Sequence, residues 1–144
     1  MRQLHTSLAE KLASSGFAVF AMDHTYDANI TVFPDGSIAD YRSNIIGHPD
    51  SVSIRKKQID TRVKDIQFVT KELERIQSGA LRHTLNGYLD LSKIGIAGHS
   101  FGGSTATLAA FQDDRYKAVV ALDSWINPLP KEVLNNGIIQ PYLY

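Results

Sequence analysis

The stretch Ile94-Gly95-Ile96-Ala97-Gly98-His99-Ser100-Phe101-Gly102-Gly103 decides the fold. Ile94 to Ala97 reads as a buried strand, Gly102 to Phe111 as a small-residue helix, and the turn between them fits G-x-S-x-G. That pattern marks a tight strand-to-helix turn which forces its serine into an unfavourable backbone conformation. Glycines two residues before and after it leave room for the adjoining strand and helix. Gly98 and Gly102 hold those two positions. Three other readings need the same turn. A phosphate-binding Walker loop asks for lysine where Ser104 stands, although Thr105 suits it. A dinucleotide turn asks for G-x-G-x-x-G, which this segment lacks, although Asp123 at the end of the next strand could hold a ribose. The third is a glycine-rich turn whose serine has no chemistry. The strand-turn-helix context puts the nucleophile reading ahead of all three.

Working outward, Leu4, Leu8 and Leu12 recur every fourth residue ahead of Gly16, so residues 2–15 are predicted to form an amphipathic helix with a left-handed cap. Phe17 to Met22 is a compact apolar run and is predicted to be a strand buried on both faces. Ile30-Thr31-Val32-Phe33 and Ile38-Ala39-Asp40-Tyr41 flank Pro34-Asp35-Gly36, which predicts a hairpin. From Ser51 to Ser78, apolar residues at Ile59, Val63, Ile66, Val69, Leu73 and Ile76 are spaced 4, 3, 3, 4 and 3, which predicts one long helix. Ala118 to Leu122 is a further strand ending at Asp123. Strand and helix alternate, so the fold class is α/β, with a parallel central sheet, helices on both faces and ligands beyond the carboxyl ends of the strands.

Composition agrees with a folded domain and excludes other classes. The chain has 144 residues, 43% hydrophobic and 21% charged, with 15 basic against 15 acidic side chains. That balance gives no support to nucleic acid or an anionic membrane as the main partner. The longest apolar run, Phe17 to Met22, cannot span a bilayer, and Met1 to His5 does not lead into a signal-peptide core, which leaves localisation open. The absence of cysteine excludes disulfides, a thiol nucleophile and thiolate metal sites. No metal or cofactor is expected.

A serine hydroxyl is a poor nucleophile at neutral pH and needs a base, oriented by a carboxylate. Asp123 suits the carboxylate, following a strand on the edge that carries Ser100; its competing reading is a turn or helix cap. The base is harder to assign. His99 is adjacent to the serine and should point away, while His5, His48 and His83 read as solvated. His24 follows the first apolar run and could reach the carboxyl edge, but it precedes Ser100, against the usual Ser…Asp…His order.

The chain resembles the platelet-activating factor acetylhydrolases of the plasma type and their bacterial and fungal relatives, within the α/β-hydrolase fold. The likeness runs from about residue 4 to 130. It is carried by Ser15-Gly16-Phe17-Ala18-Val19-Phe20, Asp23-His24-Thr25-Tyr26-Asp27-Ala28, Phe33-Pro34-Asp35-Gly36, Gly98 to Ala106, and Ala121-Leu122-Asp123-Ser124-Trp125, with 23 residues from Ser100 to Asp123. The resemblance implies a calcium-independent serine esterase that removes a short acetyl-like or oxidised acyl chain from a phospholipid. Ser100 would be the nucleophile, Asp123 the triad acid and the Phe101 amide an oxyanion donor. Other esterases of the polyester, dienelactone or general carboxylester type share the turn, and a non-catalytic truncated paralogue is the contrasting reading. The family's histidine would come after Tyr144 and its second oxyanion amide before Met1. Residues 1–144 are therefore expected to be a single incomplete hydrolase domain lacking N- and C-terminal strands, poorly soluble and nearly inactive in isolation. Its substrate partner would be a phospholipid or short-acyl ester, with interfacial lipid contact in the complete protein and no transmembrane segment.

Overall fold

The computed structural model describes residues 5–43, 45 and 47–144, which divide into two compact units, 1–48 and 49–144. In the first unit, α1 (Thr6–Ser14) is closed by the predicted glycine. Gly16 takes φ 91°, its N–H donates to the Ala13 carbonyl, and the Phe17 N–H reaches back to the Leu12 carbonyl at 3.2 Å. These two bonds satisfy carbonyls that the helix end would otherwise leave open. Leu4 and the rest of 2–4, assigned to this helix from sequence, lie outside the described residues. β1 (Ile30–Val32) and β2 (Ile38–Asp40) pair antiparallel, with Gly36 at φ 83° in the turn, as the Pro-Asp-Gly tripeptide predicts.

Phe17 to Met22 departs from expectation. The run belongs to neither sheet among the described residues, and Phe17, Val19 and Phe20 are exposed. Apolar character is needed for a buried strand, but ladder partners make one, and none pairs with this run among the described residues.

In the second unit, α2 (Ser51–Gln77) follows Pro49 and ends at Ser78, with Gly79 at φ 80°. Ile59, Val63 and Ile76 of the predicted stripe are buried, and so are Arg55, Arg62 and Thr70. After a 3₁₀ turn at Leu91–Lys93 come β3 (Ile94–His99), α3 (Phe101–Gln112), β4 (Tyr116–Leu122), α4 (Lys131–Asn136) and β5 (Tyr142–Leu143). The three strands are parallel in the order β3-β4-β5, so the α/β class holds, with helices flanking a parallel sheet. Along β3, half-buried Ile94, Ile96 and Gly98 alternate with exposed Gly95, Ala97 and His99.

α3 lies between the sheet and α2, and nine of its twelve residues are buried. Only small side chains permit packing on two sides, and they include three hydroxyls. Thr105 and Thr107 satisfy theirs on the Phe101 and Gly103 carbonyls one turn back, at 2.8 and 2.9 Å. The core gathers Ile59 and Val63 of α2, Leu108 of α3, Tyr116, Val119 and Ala121 of β4, and Val133 of α4. The Tyr116 hydroxyl meets Thr70 Oγ1 at 3.0 Å inside it. Among the described residues, no helix is long and apolar enough to cross a membrane.

At the amino end of β4, Arg115 bridges two acids. Its Nε donates to both Asp113 carboxylate oxygens at 3.0 Å and its Nη1 to Glu74 Oε1 at 2.6 Å. The Arg115 hydrogen bonds hold the Asp113 carboxyl below its usual range. A depressed carboxylate contributes stability that is complete above its unfolded pKa of about 3.9 and is lost as pH falls through the lower folded value. Urea midpoints should therefore fall as pH drops below about 3.9 in the unsubstituted protein. Arg115→Met should be less stable at pH 7 and show a shallower acid loss.

Candidate active site

Parallel register sets His99 opposite Leu122, so β3 and β4 end level with one another. The chain leaves that edge through Ser100 on one side and Asp123 on the other. Both residues have left-handed φ, 54° at Ser100 and 44° at Asp123, and Ser100 has ψ −120°. Such a backbone costs on the order of 1–3 kcal/mol for a residue with a Cβ and persists only where its surroundings over-determine it.

The surroundings are visible bond by bond. The Ser100 N–H donates to the Leu122 carbonyl at 2.9 Å, and the Trp125 N–H donates to the Ser100 carbonyl at 3.2 Å. The Gly103 and Ser104 amides, opening α3, donate to that same carbonyl at 3.0 and 3.3 Å. Ser104 Oγ then donates to the Trp125 carbonyl at 2.5 Å, and Ser124 Oγ to the Ala121 carbonyl at 3.1 Å. The turn holding Ser100 and the turn holding Asp123 are thus tied together on both sides of each residue. Ser100 is half-buried and Asp123 exposed, so both remain open to solvent.

Glycine is required here by close approach, though not quite where the motif suggests. A Cβ on Gly98 would lie 2.7 Å from the Gly103 nitrogen and closer still to the Gly102 carbonyl. One on Gly103 would lie 3.2 Å from Ser124 Cβ and 3.3 Å from the Gly98 carbonyl oxygen. At Gly102 it would meet nothing within 4 Å, so its room is not taken up by the strand. The crowding that sequence reasoning assigned to Gly102 falls on Gly103, whose place in the first turn of α3 faces Ser124.

Phe101 begins α3, where the first amides have no intrahelical acceptor and carry the positive end of the helix dipole. Its ring is buried, 6.3 Å from the Trp125 ring in an edge-on arrangement. The guanidinium carbons of Arg55 and Arg62 stand 4.2 and 4.6 Å from its centroid. Sequence reasoning missed both arginines. Their spacing of seven on the Ile59 side of α2 is a signal that was available, because it puts them on the buried stripe.

His24 belongs to the first unit. It is half-buried, and its carbonyl accepts the Asp27 and Ala28 amides at 3.0 and 2.9 Å. His99 is exposed at the end of β3, and His83 Nδ1 accepts the Leu85 amide at 3.1 Å. Among the described residues, no group of three or more His, Asp or Glu is arranged to hold a metal ion.

A family model described as platelet-activating factor acetylhydrolase, isoform II, matches residues 1–144. The platelet-activating factor acetylhydrolases of Canis lupus familiaris and Cavia porcellus are 28% and 30% identical to the chain, over 99% of it and 36% of their own length. A probable 1-alkyl-2-acetylglycerophosphocholine esterase of Arthroderma benhamiae is 29% identical over 99% of the chain and 33% of its own length. Among solved structures, a ferulic acid esterase from Streptomyces cinnamoneus aligns with a TM-score of 0.76 and 32% identity, covering 99% of this chain and 37% of that one. The chain spans about a third of the length of these relatives.

Three substitutions separate strain from crowding at the turn. Ser100→Gly, relieving the left-handed φ, should raise unfolding stability by about 1 kcal/mol. Gly98→Ala should lower it by more than about 2 kcal/mol, because backbone must move. Gly102→Ala should stay within about 1 kcal/mol of the unsubstituted protein. Urea unfolding of the three variants reads the order directly.

Proposed function

The chain belongs to the platelet-activating factor acetylhydrolase isoform II family, whose model matches all of residues 1–144, and from that membership we propose that the protein is a serine carboxylic-ester hydrolase acting on short or oxidised acyl esters of glycerophospholipids. Residues 1–144 are read as part of one α/β-hydrolase domain. Ser100 is the nucleophile, Asp123 the acid of the triad and the Phe101 amide an oxyanion donor, with Gly98 and Gly102 as the glycines of the turn.

The observation that carries the reading is Ser100 itself, held at φ 54° and ψ −120° between a parallel strand and the N-terminus of a helix. A strained, half-exposed serine at that point is what a nucleophile turn between strand and helix requires. The reaction it suits is acyl transfer. Ser100 Oγ attacks the ester carbonyl as its proton passes to an imidazole, and the carbonyl electrons move to the oxygen, which takes the Phe101 N–H. The intermediate collapses by breaking the bond to the glycerol oxygen, which leaves with the imidazole proton. Water then attacks the acyl-enzyme by the same route and frees the carboxylate. Asp123 keeps the imidazole in the tautomer that can accept a proton. The exposed Ile30, Val32 and Ile38 of the hairpin support contact with a lipid interface.

A second reading is favoured by the ferulic acid esterase at 32% identity, namely that the acyl group is aromatic. Hydrolysis of an acetyl glycerophospholipid compared with methyl ferulate decides between the two.

A fluorophosphonate probe applied to a form extended at both ends should label Ser100 and leave Ser100→Ala unlabelled; equal labelling of both ends the proposal. Asp123→Asn should lower kcat by about a thousandfold or more.

A further inference from the structure

We propose that Arg55 and Arg62 of α2 are positioning residues that hold the Phe101 amide where the acyl oxyanion forms, acting through the Phe101 ring. The inference rests on the reading of Ser100 as nucleophile and goes beyond it. Neither arginine belongs to the Ser100–Asp123 clamp. Both are only 7% exposed, and both guanidiniums stand over one ring, at 4.2 and 4.6 Å from its centroid.

A planar guanidinium over an aromatic face is attracted by the ring quadrupole, more strongly when water is excluded, and it restricts the tilt of the ring as a flexible aliphatic chain does not. Arg55 is itself fixed to its own helix, Nη1 donating to Gln58 Oε1 at 2.8 Å. α2 is in turn tied to β4 further along, by Thr70 to Tyr116 and Glu74 to Arg115. The guanidiniums thus hold the ring from a braced support.

The ring passes that constraint to the site. Phe101 is the first residue of α3, so its side chain and its N–H share one Cα, and a ring free to shift would let the first turn of α3 rotate. The ring also meets Trp125 edge-on, and Trp125 N–H donates to the Ser100 carbonyl. A misplaced donor at an oxyanion site weakens binding of the transition state and leaves the ground state almost untouched, so the cost appears in kcat and not in KM.

The test uses a form extended at both ends and p-nitrophenyl acetate, with rates expressed per Ser100 titrated by fluorophosphonate. Arg55→Met and Arg62→Met should each lower kcat about three- to thirtyfold with KM within about twofold. Arg62→Lys, which keeps a charge but not the planar stack, should fall between and covers the case in which the methionine variant does not fold. Placed in Phe101→Leu, Arg62→Met should have no further effect on kcat, because the ring through which it acts is gone. The near-UV circular dichroism of Trp125, the single tryptophan, should change in the arginine variants. The proposal is overturned if kcat per titrated serine is unchanged while only melting temperature falls, or if the loss is equal with and without the Phe101 ring. Failure of the unsubstituted extended protein to label at Ser100 overturns the hydrolase reading, an outcome distinguishable from labelling that persists while the arginine variants keep full kcat, which overturns this inference alone.

Discussion

The 2.9 Å hydrogen bond from the Ser100 N–H to the Leu122 carbonyl is the constraint on which the second unit depends. It is the last rung of the β3–β4 pairing, and it is made by a residue that has already left the strand. To make it, the backbone at Ser100 must reverse sharply enough for α3 to start at the next residue, and the positive φ is the result. The reversal brings the first turn of α3 onto the end of β3, which is why Gly98 cannot carry a Cβ. It also brings α3 against the chain leaving β4, which is why Gly103 faces Ser124. One bond therefore sets the strand register, the helix direction and the glycine positions together.

α2 holds that arrangement from the far side of α3. Over 27 residues, about 40 Å of helix at 1.5 Å per residue, it grips the layer beneath at separated points. Arg55 and Arg62 lie against Phe101 near the carboxyl edge, Ile59 and Val63 join the core, Thr70 meets Tyr116, and Glu74 meets Arg115 near the amino edge. A helix held only in the middle could rock, and the small side chains of α3 would offer little resistance.

Much of this was legible in the sequence, and the parts that were not share a physical reason. The Gly-His-Ser-Phe-Gly-Gly turn was readable because a forced backbone leaves glycines at fixed offsets, and α2 because one-sided burial imposes a 3–4 spacing over many turns. The Pro34-Asp35-Gly36 turn was readable because each residue restricts its own φ. Phe17 to Met22 was misread because strand identity lies in a partner that the segment itself does not encode. α4 and β5 were missed for shortness, six and two residues, although Pro130 before α4 and Gly137 at φ 67° after it do punctuate the helix. At the site, Ser100 and Asp123 were named from position along the chain. The ties between their turns run through Leu122, Ser104 and Trp125, and no spacing rule announces a side-chain hydroxyl bonding a carbonyl 21 residues away.

The proposed chemistry explains why strain and buried charge are gathered at one edge. Negative charge develops on the acyl oxygen in the transition state, and water would stabilise it only by reorganising. A site fixed in advance avoids that reorganisation, provided its dipoles and charges cannot relax toward one another in the meantime. The amides opening α3 already present the positive end of the helix dipole there, and two guanidiniums on the Phe101 ring add charge of the same sign behind them. That arrangement is held because the Ser100 and Asp123 turns are tied through Leu122, Trp125 and Ser104, and because α2 is braced at Tyr116 and Arg115. On this view the fold's stability is spent holding a small region in a state it would not choose alone, and the left-handed serine is its visible mark.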